Sequence, residues 1–440
     1  MMDLDGNARP RGVLTREDCL RLAGEDALAP LRKLFDLPAG VIYLDGNSLG
    51  ALPKATSGRV QRVVTAEWGV GLVRSWNTAG WIEMPQRIGN KIACLVGADA
   101  GEVVVADSTS VNLFKVLSAA LDLARADAPE RGIIVSERHN FPTDLYIAES
   151  LARERGFTLR LVEADAIQAE LDRTVAVLML THVNYRSGRM HDMEAINAAA
   201  HAAGALVVWD LSHSAGAVPV ALKGRASPDA AADFAVGCGY KYLNGGPGAP
   251  AFAWVHPKHT ARMDAEQRRQ PLSGWLGHAA PFDFAPDYRP AAGIARFLCG
   301  TPPMLSLAAL EGGVDTVLAA DPLGGIAALR RKSLALTDLF IALVEERCAH
   351  QGLSLQTPRD AQQRGSQVSF ARSEGGYAIM QALISRGVIG DFRAPDILRF
   401  GFTSLYTRFV DAWDAALHLA QVLETGEWRE AQFSQRAAVT

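Results

Sequence analysis

Seven short runs of β-branched and aromatic residues between about positions 100 and 257 constrain this chain more than any other feature. They are 102-EVVVAD, 132-GIIVSE, 158-TLRLVE, 175-VAVLMLTHV, 205-ALVVWDLS, 234-FAVGCG and 251-AFAWVHP. Most are apolar at consecutive rather than alternate positions, so both faces of each strand need covering. Amphipathic helical patterns over 109–125, 143–155 and 192–203 lie between them. Strands buried on both faces and joined by helices build a mainly parallel sheet between two helix layers. The seventh run follows the turn 244-NGGPGAP, which has no room for a crossover helix, and is expected to join antiparallel.

Past residue 255 this rhythm stops. Residues 255–305 are rich in Gly, Pro and aromatics (273-SGWLGHAAPFDFAPDYRP), and so long an irregular stretch usually serves function or a partner subunit. A helical pattern then runs from near 304 to about 350, interrupted at Asp321-Pro322. Strand 366-SQVSFAR, helix 375–386, strand 396-DILRFGF and helix 407–425 follow. At the other end, Thr15-Arg-Glu-Asp18 matches a capping box. The expected organisation is an α/β protein. Residues 1–45 pack with the small domain, 46–320 form the large domain, and 321–440 form a smaller α+β domain.

Composition excludes several classes. Lys plus Arg minus Asp plus Glu is 44 − 48, or −4, without blocks of like charge, so nothing attracts nucleic acid or an anionic membrane. The apolar runs fall short of the roughly 20 residues that span a bilayer, and MMDLDGNARPRG lacks the apolar core of a secretory signal. Five scattered cysteines (19, 94, 238, 299, 348) include no CxxC, and the ten histidines no HExxH. Neither a disulfide framework nor a metal site is suggested, and a cytoplasmic protein is expected.

In open α/β sheets ligands bind beyond the carboxyl ends of the strands, so the residues there carry the chemistry. After the first run, 108-STSVN places Ser108 and Thr109 at a helix start, which suits a phosphate or is simply a helix cap. After the second, Phe141 and Asp144 are a ring and a carboxylate at that edge, or a core aromatic and a helix-start charge. After the fifth, Asp210 is a carboxylate costly to bury unpaired; its partner is His213 or a protonated pyridine nitrogen. After the sixth, Lys241 in 240-YKYLNGGPG is a Schiff-base nucleophile if desolvated, or a surface lysine. Each reading is weak alone. In this order they match the layout of fold-type I pyridoxal-phosphate (PLP) enzymes, and no GxGxxG at a strand-to-helix turn or GxxxxGK[ST] supports a nucleotide instead.

Longer strings carry a specific likeness: 43-YLDGNSLG, 74-RSWNTAGW, 107-DSTSVNLFK, 136-SERHNFPTDLY, 181-THVNYRSGRMHD, 209-WDLSHSAGAVP, 237-GCGYKYLNGGPG, 273-SGWLGH, 300-GTPP and 398-LRFGFTSLY. From about 42 to 420 the chain resembles the kynureninase family. The resemblance implies hydrolytic Cβ–Cγ cleavage of L-kynurenine to anthranilate and L-alanine, with 3-hydroxy-L-kynurenine secondary, in tryptophan degradation and the route to NAD. It implies that Lys241 carries PLP and moves the α-proton. Asp210 pairs with the pyridine nitrogen beside His213, Phe141 stacks on the ring, and Asp144 and Thr181 lie next to it. Ser108, Thr109 and Tyr240 hold the phosphate, with Tyr240 also a proton donor. It further implies a homodimer in which Trp275 and Thr301 reach the neighbour's cofactor. Arg399 binds the substrate carboxylate, and Ser48 and Trp76 line the substrate side. Trp76, Ser108 and Thr301 fit the bacterial type, which prefers plain kynurenine. The rivals are a class V aminotransferase or desulfurase on the same fold, and a non-catalytic regulator. The scarcity of cysteine in the small domain, where only Cys348 stands, argues against a desulfurase.

Overall fold

The computed structural model describes residues 14–436; the polar N-terminal dozen judged above for a signal lies outside them. The seven runs are seven strands: β1 Val103–Val105, β2 Ile133–Glu137, β3 Thr158–Val162, β4 Val175–Thr181, β5 Leu206–Asp210, β6 Phe234–Gly237 and β7 Phe252–Val255. They form one sheet in the order β1-β7-β6-β5-β4-β2-β3. Only β7 runs antiparallel, to β1 and to β6, as the short turn before it requires.

Burial explains the continuous apolar runs. Val103, Val105, Val135, Leu178, Leu180, Val207, Trp209 and Trp254 face one core. Their neighbours Val104, Ile134, Val177, Met179, Val208, Val236 and Ala253 face a second core across the sheet. Successive side chains point to opposite faces, so a strand with cores on both sides cannot alternate apolar with polar. The two tryptophans satisfy their indole N–H groups as they are buried: Trp209 Nε1 donates to Asn197 (2.8 Å) and Trp254 Nε1 to Glu102 (3.2 Å).

A third core belongs to the C-terminal part. Its sheet comprises β8 Ser354–Leu355, β9 Gln367–Ala371, β10 Asp391–Arg393 and β11 Ile397–Gly401, ordered β10-β11-β9-β8 and antiparallel throughout. Leu398 and Phe400 enter that core, which leaves Ile397 and Arg399 on the opposite face. The helix Gly325–Arg347 joins the two units: Ala328 and Leu329 lie in the large core, Leu336 to Val344 in the small one. The N-terminal segment divides likewise. Cys19 and Leu22 of helix Arg16–Glu25, opened by the expected Thr15 capping box, pack on the small core, whereas Leu28, Leu31 and Phe35 join the large one.

The stretch 255–305 is less irregular than its sequence suggests. It opens with a helix, Pro257–Ala265, with Pro at its start and the His256 side chain accepting from Lys258 N–H. Only His259 and Met263 of that helix are buried, so it carries little apolar periodicity. Among the described residues no helix is long and apolar enough to cross a membrane.

Candidate active site

The carboxyl edge of the sheet collects the charged residues. β4 ends at Thr181 and β5 at Asp210, directly opposite each other in register. β2 ends at Glu137 and leads through 138–141 into helix Pro142–Arg155, which carries Asp144 in its first turn. Thr181 Oγ1 contacts Asn140 and lies 3.4 Å from Asp144 Oδ2. Asp144 is 3% exposed and hydrogen-bonded to Asp210. Burial first, and the adjacent Asp210 second, raise the Asp144 carboxyl well above its ordinary value.

Asp210 does not pair with His213, contrary to one of the two partners the sequence offered. Its Oδ1 accepts from Ser212 N–H (2.8 Å) and Ser212 Oγ (2.6 Å), which folds the chain back at the strand end. His213 instead meets Lys241, Nε2 to Nζ at 2.8 Å. Burial, followed by the Lys241 charge, holds the His213 imidazole well below its usual range. Burial likewise lowers the Lys241 amine; Asp210 opposes that shift, while Arg399 and Arg393 add to it. An amine of lowered pKa is the nucleophile a carbonyl requires.

The 43-YLDGNSLG string wedges between this lysine turn and the small sheet. Gly50 N–H donates to Tyr240 O (2.8 Å), and a Cβ on Gly50 would lie 2.5 Å from Lys241 O. At the other end of the wedge a Cβ on Gly401 would collide with the Asn47 side chain. These two close approaches carry Ser48 to Arg399. Arg399, 1% exposed, donates from Nη2 to Ser48 Oγ (2.7 Å) and from Nη1 to Tyr185 O (2.7 Å). No acid was evident for it in the string 396-DILRFGF, but the structure supplies one. Asp391, opposite Arg399 in the β10–β11 register, places Oδ2 2.5 Å from Nη2. Arg399 Nε remains buried without a partner.

Phe141 is not a core aromatic: 40% exposed, it meets Tyr185 edge-on at 5.4 Å. Ser108 caps the 19-residue helix Thr109–Asp127, its Oγ accepting from Val111 N–H (3.3 Å), and is exposed. Asp107 before it adopts the left-handed backbone (φ 49°) and is held by the fully buried Lys115 (2.7 Å). The first-turn N–H groups of such a helix, with hydroxyls beside them, could hold a phosphate. Together a buried carboxyl pair, a lysine amine, an exposed ring and an anion-binding helix start fit PLP. Among the described residues no cluster of His, Cys, Asp or Glu could hold a metal ion.

Not every expected residue converges here. Trp275 packs edge-on against Trp76 (6.3 Å) and Phe282 (5.9 Å), and Thr301 is exposed. His139 is exposed beside Glu163 (4.0 Å). Sequence reading missed Asn140, Tyr185, Asp391 and Arg393. The first two stand inside strings singled out above; the last two are marked only by strand pairing.

The chain is similar to known proteins over nearly its whole length. Kynureninase from Pseudomonas fluorescens is 57% identical over 431 residues, which span 97% of this chain and 100% of that protein. Kynureninase from Burkholderia pseudomallei is 57% identical over 429 residues, again 97% and 100%. The chain belongs to the kynureninase family. A model of the kynureninase C-terminal domain matches residues 329–419, the part that carries Asp391, Arg393 and Arg399. Among solved structures, a cysteine desulfurase from Thermococcus onnurineus NA1 superposes with TM-score 0.72 at 20% identity, covering 90% of this chain and 98% of its own. A C-DES variant with glycine covalently linked to the PLP cofactor gives 0.73 at 18%, covering 89% and 98%. These last two establish the fold, that of fold-type I PLP enzymes.

Proposed function

We propose that this protein is a kynureninase, a PLP-dependent hydrolase that cleaves the Cβ–Cγ bond of L-kynurenine to give anthranilate and L-alanine. The observation that carries the reading is that the 45–50 wedge touches the Lys241 turn at Gly50 and the buried guanidinium of Arg399 at Ser48. One group suits a cofactor carbonyl and the other an amino-acid carboxylate.

The roles follow from position. Bound PLP supplies the electron sink for bond cleavage next to the amino-acid carbon. Lys241 holds it and carries the α-proton. Asp210, at the end of a buried strand, would pair with the pyridine nitrogen, and Asp144 would support it through the hydrogen bond between them. The Ser108–Thr109 helix start and Tyr240 would hold the phosphate, and the exposed Phe141 ring would stack on the cofactor ring. Tyr240 keeps its proton, since burial raises its phenol further above neutrality, and can donate it. Arg399 and Ser48 receive the substrate carboxylate.

A desulfurase reading finds no support in Cys348. That thiol is 5% exposed at the end of helix Gly325–Arg347, and burial pushes its pKa up to about 12. A thiol without an exposed thiolate is a poor nucleophile. Incubation of the holoenzyme with L-kynurenine should release anthranilate and alanine, and more slowly 3-hydroxyanthranilate from 3-hydroxy-L-kynurenine. A keto product without aromatic amine release would show an aminotransferase instead.

The working form is a cytoplasmic homodimer with shared sites. Trp68, Val70, Leu72 and Val73 are 57–76% exposed, and Trp68 lies beside Leu305 and Trp81, which packs on Trp76 of the Trp76–Trp275–Phe282 row. A patch of that kind marks an interface. Because Trp76 and Trp275 of one chain pack edge-on, a Trp275 that serves the neighbour's site would bring Trp76 to that site as well. Sedimentation should show a dimer whose dissociation loosens PLP; an active monomer at assay concentration would refute this.

A further inference from the structure

We propose that Arg393 is a positioning residue of the substrate-carboxylate site, drawing the Asp391 carboxylate off Arg399 so that Arg399 can receive the carboxylate of an incoming amino acid. The inference rests on the reading of Arg399 as the carboxylate anchor.

The strands place the three groups. β10 and β11 run antiparallel with Asp391 opposite Arg399 and Arg393 opposite Ile397. One oxygen, Asp391 Oδ2, lies 2.5 Å from Arg399 Nη2 and 2.6 Å from Arg393 Nε, so a single carboxylate is divided between two guanidiniums. Ser48 Oγ is shared in the same way, 2.7 Å from Arg399 Nη2 and 3.5 Å from Arg393 Nη2. Arg393 therefore touches the same two groups as the Nη2 end of Arg399, but from the open side: its side chain is 39% exposed, against 4% for Asp391 and 1% for Arg399.

Charge balance gives Arg393 its role. Without it, Asp391 and Arg399 would be a closed, neutral, buried pair. A second carboxylate arriving there would displace Asp391 and leave that charge uncompensated, at the cost of breaking a buried ion pair. With Arg393 present, two cations face Asp391, and Asp391 keeps a partner when the substrate takes its place on Arg399. The other nearby acid is Asp45, 4.0 Å from Arg399. Burial, and then Asp391, push its carboxyl up to about 7, so it only partly fills the remaining positive charge. The site thus has capacity for one more carboxylate, and Arg399 Nε, buried without a partner, is a donor in reserve for it.

The test uses the holoenzyme and L-kynurenine. Arg393→Met should raise KM on the order of 10- to 100-fold, the loss of one charge-assisted contact, with kcat and the visible absorption of bound PLP unchanged. Arg393→Lys, which keeps the charge, should recover most of that loss. Adding Asp391→Asn to Arg393→Met removes the surplus negative charge and should bring KM back toward wild type. A merely structural arginine would give neither the KM-only effect nor the charge rescue. An unchanged KM in Arg393→Met, or no rescue by Asp391→Asn, overturns the inference. Arg399→Lys separates the two readings. If it leaves KM for L-kynurenine unaltered, the anchor reading itself fails; if it raises KM while Arg393→Met does not, only the role of Arg393 fails.

Discussion

Replacing Lys241 with alanine should yield a folded protein that still binds PLP but lacks the absorption of a lysine-bound cofactor and has essentially no turnover. The fold survives because backbone holds the turn: Gly50 N–H to Tyr240 O, Asn244 N–H to Lys241 O and Gly245 N–H to Gly239 O, all at 2.8–2.9 Å. The lysine side chain is only partly buried, so the truncation opens no large core cavity, although His213 Nε2 loses its partner. On the proposed reading PLP would still be held noncovalently by Asp210, the Ser108–Thr109 turn and Phe141. What is lost is the covalent anchor and the base for the α-proton. A positioned base alone contributes about 10²- to 10⁴-fold, so anthranilate release should fall by at least roughly 10³-fold. Borohydride reduction followed by peptide mapping locates the cofactor directly. Recovery on Lys115 would be surprising, since that amine is committed to Asp107 (2.7 Å) and Phe297 O (2.5 Å). Recovery there, or on the exposed Lys54, would defeat the assignment.

How much of this was legible in the sequence depended on which force set each feature. The large sheet could be read because burial on both faces imposes uninterrupted apolar runs, and β7 because a turn without a helix permits only an antiparallel return. The placement of Leu398 and Phe400 against Ile397 and Arg399 followed from strand period alone. Elements with no period were lost: β10, the pairing of Ile42–Tyr43 with Val388–Ile389, and the helix Pro257–Ala265 with its two buried residues. The site divides similarly. Asp210 ends a strand, Lys241 follows one, and Asp144 stands in the first turn of the helix after one, so residue type and position mark them in the sequence. The partners of His213 and Arg399 are fixed by the folding back of Asp210 onto Ser212 and by the β10–β11 register, which no local string contains.

Arg399→Lys should reduce kcat/KM for L-kynurenine about 30- to 1,000-fold while leaving the PLP spectrum intact. Asp391 makes this a sharper test than the sequence allowed, because an arginine with a buried acid beside it invites a purely structural reading. Three observations weigh against that reading. Asp391 Oδ2 is shared with Arg393, so it does not neutralise Arg399 alone. Nη1 and Nη2 are spread over Tyr185 O, Ser48 Oγ and Asp391, in the planar fork that carboxylate recognition uses. Nε is buried and unpaired. A lysine is a single point charge; it can keep one or two of these contacts but cannot grip a carboxylate at two points. Losing a bidentate charge-assisted contact costs on the order of 2–4 kcal/mol, which at about 1.4 kcal/mol per factor of ten gives the range stated. The cofactor should be indifferent, because lysine keeps the positive charge that Arg399 exerts on Lys241, and the contacts of Arg399 towards the lysine turn run through Ser48 and the backbone of the wedge. For the same reason kynurenine lacking its carboxylate should hardly distinguish the variant from wild type. If Arg399→Lys instead lost PLP, or kept near-normal kcat/KM, Arg399 would be a structural strut between β10, β11 and the wedge. The carboxylate site would then have to be sought elsewhere along the sheet edge.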